Sequence, residues 1–325
     1  MKQVRRRLGA TLVALSVLPA MLSACGSDDG SSEGGDKSAT LLMNWFAQAE
    51  QGGYWAADAE GLAKDDGVDI KVQQGGPGIQ TVPQVTAGKA EFGVGNADEI
   101  MVAVENGLPI VVVASAFDEN LQCMMFHKST GISGFADLNG HMVARVPSPY
   151  WDYLKKEYHL DKVKDVNFTG SMADFKRNKD LVQQCYITAE PYVAKQQGIN
   201  DVGYLSVAKD GGFNPYGNVL FTTEKLIKQD PDLVRAVVHA SVKGWENFLD
   251  DPKPTKDLIL KTNPDVDGDG FDYAHDALVK DGYLGDDIGG MTDDRWKTLR
   301  DQLASVDLVP ADFDYKKAYT TEFLP

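Results

Sequence analysis

Asn44 and Trp45 stand side by side directly after the first apolar segment, Leu41-Leu42-Met43. An amide that gives and takes hydrogen bonds beside a broad ring face is chemistry for holding a flat polar molecule. The other reading of Trp45 is core packing, because tryptophan is largely buried in most folds. Gln51 and Tyr54 lie at the entry to a helical segment, where free backbone N–H groups suit an acceptor or anion. Gly75-Gly76-Pro77-Gly78 follows the second strand segment, and Gly76 either lets backbone approach a ligand or serves a turn with unusual dihedrals. No Gly-Lys-Ser/Thr follows, so this is not a phosphate loop. Tyr150 and Trp151 follow Pro149 at another helix start, and Phe117-Asp118 closes the first α/β set.

Catalytic and metal signatures are sparse. His127, His141, His159, His239 and His275 make no HxH or HExxH pair, and no GxSxG elbow occurs. One acidic segment resembles a calcium loop. Asp265, Asp267 and Asp269 occupy positions 1, 3 and 5, Gly270 position 6 and Asp276 position 12, the spacing of an EF-hand. Position 8 is Asp272 where an apolar residue is usual, and position 12 is Asp and not Glu. The competing reading is an acidic turn capping the next helix. No other cofactor is expected.

The elements that must position these residues alternate. Strands are expected at 41–43, 69–72, 92–94 and 109–114, with helices over 53–62, 81–87 and 99–105 between them. The β-branched run Pro109–Ala114 reads as a strand buried on both faces of a parallel sheet. A second set follows, with strands at 121–126, 141–145, 166–168 and 185–188 and helices over 148–158 and 191–197. A strand at 218–222 precedes a mostly helical tail. Its clearest helix runs over 231–249, with Asp230 as cap, Pro231 in the first turn and one apolar stripe. Two β-α-β-α sets predict two α/β lobes, and open α/β sheets bind ligands beyond the carboxyl ends of their strands.

The N-terminus reads differently. Lys2, Arg5, Arg6 and Arg7 precede an apolar run from Leu8 to Leu22, too short for a comfortable membrane span and built like a secretory leader. Leu22-Ser23-Ala24-Cys25 resembles the lipobox of bacterial lipoproteins, which implies cleavage before Cys25 and acylation of that cysteine. The alternative is an ordinary leader with an incidental cysteine. Gly26–Ser38 contains no apolar residue and reads as a flexible leash. The expected organisation is a leader over 1–24, acylated Cys25 and linker over 25–38, one lobe from 39–118 plus 219–325, and a second from 119–218. Losing the leader removes four basic residues and no acidic one, taking the net charge from −16 to −20. Such a surface argues against nucleic acid and against adsorption on anionic lipid. Cys123 and Cys185 then remain, either as a disulfide or as two buried apolar residues.

An ordered series of motifs resembles the solute-binding proteins of ABC importers, in the nitrate/sulfonate/taurine-type group that includes binders of thiamine-pyrimidine precursors. It runs through Asn44-Trp45, Gly52-Gly53-Tyr54-Trp55-Ala56-Ala57, Gly88-Lys89-Ala90-Glu91-Phe92-Gly93-Val94, Thr188-Ala189-Glu190-Pro191-Tyr192, Pro215-Tyr216-Gly217-Asn218 and Met291-Thr292-Asp293-Asp294-Arg295-Trp296. The resemblance implies a type II periplasmic-binding-protein fold, two α/β lobes with a cleft and hinge that close on a ligand. It implies a lipid-anchored, extracytoplasmic, monomeric binder on a bacterial cell membrane, whose partners are a small molecule and the permease and ATPase subunits. It also places ligand contacts at Asn96 and Asp98, with a helix cap as the other reading of Asp98, and in the matched motifs at Glu190 and Tyr216. Glu190 reads otherwise as a salt-bridge or helix-terminus acid. The ligand set is then Asn44, Trp45, Gln51, Tyr54, Gly76, Asn96, Asp98, Asp118, Tyr150, Trp151, Glu190 and Tyr216. It is aromatic, amide and acidic with no Arg or Lys, which suits a nitrogen heteroaromatic bearing donors better than a sulfonate, taurine or nitrate. Fungal pyrimidine synthases share this fold and set the enzyme alternative, but they combine a cysteine cluster with a cofactor lysine, and no cysteine cluster occurs here.

Overall fold

Local sequence sets each element before packing does. The structure, a computed structural model, describes residues 37–325; the leader, Cys25 and the linker through Asp36 lie outside the described residues. In chain order, β1 (Lys37–Leu42), α1 (Gly52–Ala59), β2 (Val68–Gln73), α2 (Thr81–Thr86), β3 (Phe92–Gly95), α3 (Ala97–Glu105) and β4 (Ile110–Phe117) come first. Then follow β5 (Gln122–His127), β6 (Met142–Arg145), α4 (Pro149–Glu157), β7 (Lys164–Asn167), α5 (Met172–Arg177), β8 (Leu181–Tyr186), α6 (Glu190–Gln196) and β9 (Val202–Ser206). The chain ends with β10 (Gly217–Thr223), α7 (Glu224–Gln229), α8 (Pro231–Asp250), α9 (Lys253–Thr262), α10 (Gly268–Asp281) and α11 (Asp293–Ser305).

The strands form two five-stranded sheets, ordered β2-β1-β3-β10-β4 and β7-β6-β8-β5-β9. Both are mixed. β1 is parallel to β2 and β3, whereas β10 runs antiparallel between β3 and β4; in the second sheet β6 is parallel to β7 and β8, and β5 runs antiparallel between β8 and β9. The run Pro109–Ala114 was expected inside a parallel sheet. It is instead β4, paired along its length only with antiparallel β10. Its apolar character has another cause, because the C-terminal tail covers its free edge. Val112 donates to Ala318 and accepts from Thr320, and Ser115 exchanges two bonds with Gly289. An uncovered edge of this composition would be a template for association.

The chain crosses between the sheets twice, after β4 and after β9, and the crossings are tied together. Asn120 N–H donates to Asn214 Oδ1 at 2.8 Å. Arg295 pairs with Asp118, donates to the Asn214 carbonyl and lies 3.8 Å over the Tyr216 ring. The expected leash also ends early. Lys37 and Ser38 already lie in β1, and the Lys37 ammonium sits 2.7 Å from Asp230, the side chain that caps α8 through Leu233 N–H.

One close crossing organises the first core. α1 lies on α8 with Gly53 against Trp245 and Gly244 against the Gly53 carbonyl; a Cβ on Gly53 would sit 2.1 Å from the indole, and one on Gly244 2.2 Å from that oxygen. The Gly52-Gly53 pair of the motif is therefore a packing requirement that brings α1, and the turn before it, down onto the core. Gly53→Ala and Gly244→Ala should each cost about 1–3 kcal/mol by overpacking, read as a lower urea midpoint with unchanged slope. A change within about 0.5 kcal/mol, as at an ordinary surface site, would contradict this crossing.

Candidate functional site

A cavity of about 440 Å³ lies where the strand ends of the two sheets face each other. From the first sheet, Asn44 and Trp45 follow β1, Gly76 follows β2 and Asn96 follows β3. Asn218 stands at the start of antiparallel β10, which brings it to the same edge. From the second sheet, Val146 and Pro147 follow β6, Phe168 follows β7, Tyr186 ends β8 and Glu190 begins the helix after it, while Gln122 opens antiparallel β5. Carboxyl ends of parallel strands and amino ends of antiparallel ones thus converge, as open α/β sheets dictate.

Six of the expected ligand residues line this cavity: Asn44, Trp45, Gln51, Gly76, Asn96 and Glu190. Trp45 stacks on Phe168 from the opposite sheet, with ring centroids 6.2 Å apart and planes 19° off parallel. Gln51 donates from Nε2 to Asn44 Oδ1 at 3.0 Å, which leaves its own Oε1 buried without a partner. Asn96 Oδ1 is likewise buried and unpaired, while the Asn96 amide assists Glu99. Glu190 heads α6, and its Oε2 accepts the Tyr186 N–H at 2.7 Å. It is both a helix-terminus acid and a wall of the cavity. Both readings of Gly76 hold too, since it lines the cavity and has a φ of 154° with Phe46 behind it.

Six others lie away from the cavity lining, five of them buried and Asp118 exposed. The Tyr54 hydroxyl donates to the Asn218 carbonyl at 2.6 Å, so Tyr54 positions Asn218 from within the core. Asp98 is buried, and α3 begins at Ala97 with Asn96 at the cap position, so Asp98 neither caps the helix nor lines the cavity. Tyr150 is buried with its hydroxyl 3.3 Å from Gln184 Oε1, and Trp151 is buried under the Arg145 guanidinium. Asp118 is exposed at the first crossing with Arg295. The Tyr216 hydroxyl accepts Thr292 N–H at 2.8 Å, and its carbonyl accepts Ala97 N–H, which anchors the start of α3.

Sequence reasoning missed Glu50, Glu99, Phe168, Gln184 and Asn218, all of which line the cavity. Glu50 was hidden in a 3-10 turn, Ala49–Gln51, whose twist no periodicity announces. It joins the two sheets: Thr188 Oγ1 donates to Glu50 Oε1 at 2.5 Å, and Asn218 Nδ2 donates to the Glu50 carbonyl. Glu99 adjoins the residue that was chosen. A helix turns about 100° per residue, so of two adjacent acids only one faces a given cavity. Asn218 carries a signal that was available only in three dimensions, a non-glycine φ of 45°.

Cys123 and Cys185, directly opposite in the β5–β8 ladder with Cα atoms 4.8 Å apart, form a disulfide, and Cys185 reaches the cavity wall. The acidic segment near residue 267 is a helix start. Asp267 accepts Gly270 N–H at 2.7 Å and α10 runs on from Gly268, so Asp269 and Asp276 are helical residues and the loop geometry of an EF-hand is not formed. Among the described residues no three His, Cys, Asp or Glu side chains converge as a metal cage.

Burial governs the site's electrostatics. It pushes the Glu190 carboxyl from its ordinary 4.5 to about 7, with the Tyr186 N–H pulling back. Glu50 is raised by burial and restrained by Thr188, and Glu99 is raised by burial against hydrogen bonds from Asn96. Behind Glu99, burial and then the Glu99 charge lift Asp98 to about 8. A carboxyl raised in the folded state is favoured as its neutral form, so its contribution to stability is full below its unfolded pKa and is lost as pH rises towards the folded value. Glu190→Gln should therefore gain stability relative to wild type as pH rises from about 4.5 to about 7 and hold that gain above it. A stability difference independent of pH, measured by chemical denaturation across this range, would contradict the raised carboxyl of half-buried Glu190.

The site can be set against known proteins. The riboflavin-binding protein RibY of Chloroflexus aurantiacus is 24% identical over 88% of this chain and 86% of its own length. A formylaminopyrimidine-binding protein of Halalkalibacterium halodurans is 22% identical over 78% of this chain and 79% of its own. A 4-amino-5-hydroxymethyl-2-methylpyrimidine phosphate synthase of Saccharomyces cerevisiae is 23% identical over 88% and 87%. In structure, the periplasmic aliphatic sulphonate-binding protein SsuA of Escherichia coli aligns with a TM-score of 0.65 at 15% identity, covering 86% of this chain and 91% of SsuA. The two-sheet architecture is thus the periplasmic-binding-protein fold that the motif series implied. The NMT1/THI5-like family profile matches residues 48–255, well over half of the sequence, and the chain belongs to that family.

Proposed function

We propose that this protein is the extracytoplasmic solute-binding component of an ABC importer, and that it captures a small, flat nitrogen heteroaromatic by closure of the two sheet-bearing lobes. One observation carries the reading. The cavity offers two buried, unpaired side-chain acceptors, Gln51 Oε1 and Asn96 Oδ1, beside three glutamates and the Trp45–Phe168 ring pair. An unpaired buried acceptor costs free energy until a donor reaches it, so the ligand should bring N–H groups on a stackable ring. Among the described residues lining the cavity there is no lysine, arginine or histidine. That composition disfavours sulfonate, taurine and nitrate, although SsuA shares the fold, since an oxyanion needs cations or converging donors.

Relatives named for binding riboflavin and a formylaminopyrimidine support a nitrogen-ring ligand of pyrimidine type. The Cys123–Cys185 bridge suits an oxidising compartment. Cleavage before Cys25 and its acylation would tether the binder to the cell membrane as a monomer beside its permease and ATPase. The yeast relative's name raises synthesis as a second activity, yet the lining here offers no histidine or lysine, and its one cysteine is held in a disulfide. Binding without turnover is the reading these residues favour.

The test is thermal unfolding of the whole mature chain, kept soluble with Cys25→Ser, against aminopyrimidines, flavins, purines, taurine, alkanesulfonates and nitrate. A ligand of the folded state at 100 times its Kd should stabilise by about 2.7 kcal/mol. An aminopyrimidine or flavin should raise Tm, recover unchanged after incubation, and lose at least about tenfold in affinity with Trp45→Ala. A shift with sulfonates or nitrate alone would overturn the pocket chemistry, and conversion of the bound compound would overturn the binder.

A further inference from the structure

The glutamates of the cavity lack a positive counterpart. Glu50, Glu99 and Glu190 reach it from the turn before α1, from α3 and from α6, and Asp98 is packed behind Glu99. The other titratable groups facing this set are Tyr186 on β8 and Tyr150 on α4, whose hydroxyls burial keeps protonated well above the ordinary tyrosine range. Arg145 on β6 is the cation that acts on Tyr150; its guanidinium lies 4.7 Å over the Trp151 ring and 3.0 Å from Asp165 and donates to the Val146 carbonyl, while its Nε is buried without a partner. Glu50 and Asp98 are buried and Glu99 and Glu190 half-buried, with Glu50 acting on Glu190 and Glu99 on Asp98, so the set resists full ionisation unless protons or an incoming cation compensate it. The unpaired oxygens of Gln51 and Asn96, both on side chains at least nine-tenths buried, show independently that the missing partner is a donor.

Resting on the proposed binding role, and deepening it, we infer that the ligand enters as a cation, a flat aromatic amidinium or protonated amino-heterocycle, and that its positive charge replaces a proton on the glutamate set. The exchange balances. One protonated carboxyl loses its proton to the buffer, the carboxylate pairs with the ligand's charged N–H groups, and no other bond changes. Gln51 and Asn96 take further ligand N–H donors, and Trp45 and Phe168 cover the ring faces, where a cation gains from the ring quadrupole as well.

Benzamidine and benzamide form the test pair, alike in ring and planar outline; the first carries a positive charge on four N–H donors, the second is neutral with two N–H donors and a carbonyl. Calorimetry on the mature Cys25→Ser chain, in two buffers of different ionisation enthalpy, should show benzamidine at least about tenfold tighter than benzamide with net proton release near pH 6. Glu190→Gln should reduce that release. Benzamide binding as tightly, without proton release, would overturn the cation and leave the importer role standing. Carboxyl-carbon NMR of the protein without ligand decides independently of either probe: Glu190 and at least one of Asp98 and Glu99 should still hold protons at pH 6. If all four carboxyls are ionised there, the inference fails even if neither probe binds.

Discussion

A carboxyl group withdrawn from water needs a proton, a hydrogen-bond donor or a positive neighbour, and the centre of this protein is arranged around that need. Glu50 shows it most plainly. It is fully buried between the two sheets and takes the Thr188 hydroxyl from one while Asn218 holds its carbonyl from the other. Glu99 and Glu190 share its cavity, held by Asn96 and by the Tyr186 N–H, and the amides of Gln51 and Asn96 present oxygen there without a partner. The protein has satisfied one part of this polar surface internally and left the remainder for something that brings N–H groups. A site built in this way has specificity before it has affinity, because an oxyanion finds no cation among the described lining residues and meets the repulsion of three glutamates.

The architecture exists to bring those groups to one place. Two mixed sheets, each completed by a strand inserted antiparallel after a crossing, aim their ligand-facing ends at each other. The glycine-mediated descent of α1 onto α8 sets the height of the turn that carries Glu50 and Gln51, and Tyr54 in the same helix fixes Asn218. Tyr216 holds the first turn of α3 by its carbonyl, while Arg295 on α11 gathers both crossings. A motion of one sheet against the other would turn at these crossings, and its contacts across the cavity would be Glu50 with Thr188 and Trp45 with Phe168.

Much of this was legible in the sequence, and what was lost has physical causes. Alternating apolar runs gave the two α/β sets and the long capped helix α8, because periodicity and caps are local. Strand direction was not local: β4 reads as a buried parallel strand, yet its free edge is covered by a tail some two hundred residues on, a pairing that no run of valines can announce. At the site, residues directly after strands were placed well, as Asn44, Trp45 and Asn96 show. Residues chosen inside helices or shared motifs fared differently. Asp98 lost its place to Glu99 by helical phase, and Tyr54, Tyr150 and Tyr216 proved to be supports whose hydroxyls or carbonyls hold other residues in position. The cysteine pairing turned on strand register, which only the ladder reveals.

Trp45 offers the most direct test of the account. It alone of the five tryptophans borders the cavity; Trp55, Trp151, Trp245 and Trp296 are buried in the cores. Fluorescence titration with an aminopyrimidine should give a saturable change in emission that disappears in Trp45→Phe while the variant keeps its fold. Saturable binding seen by calorimetry with the Trp45 emission unchanged would mean that the ligand sits elsewhere, and the account of this cavity would be wrong.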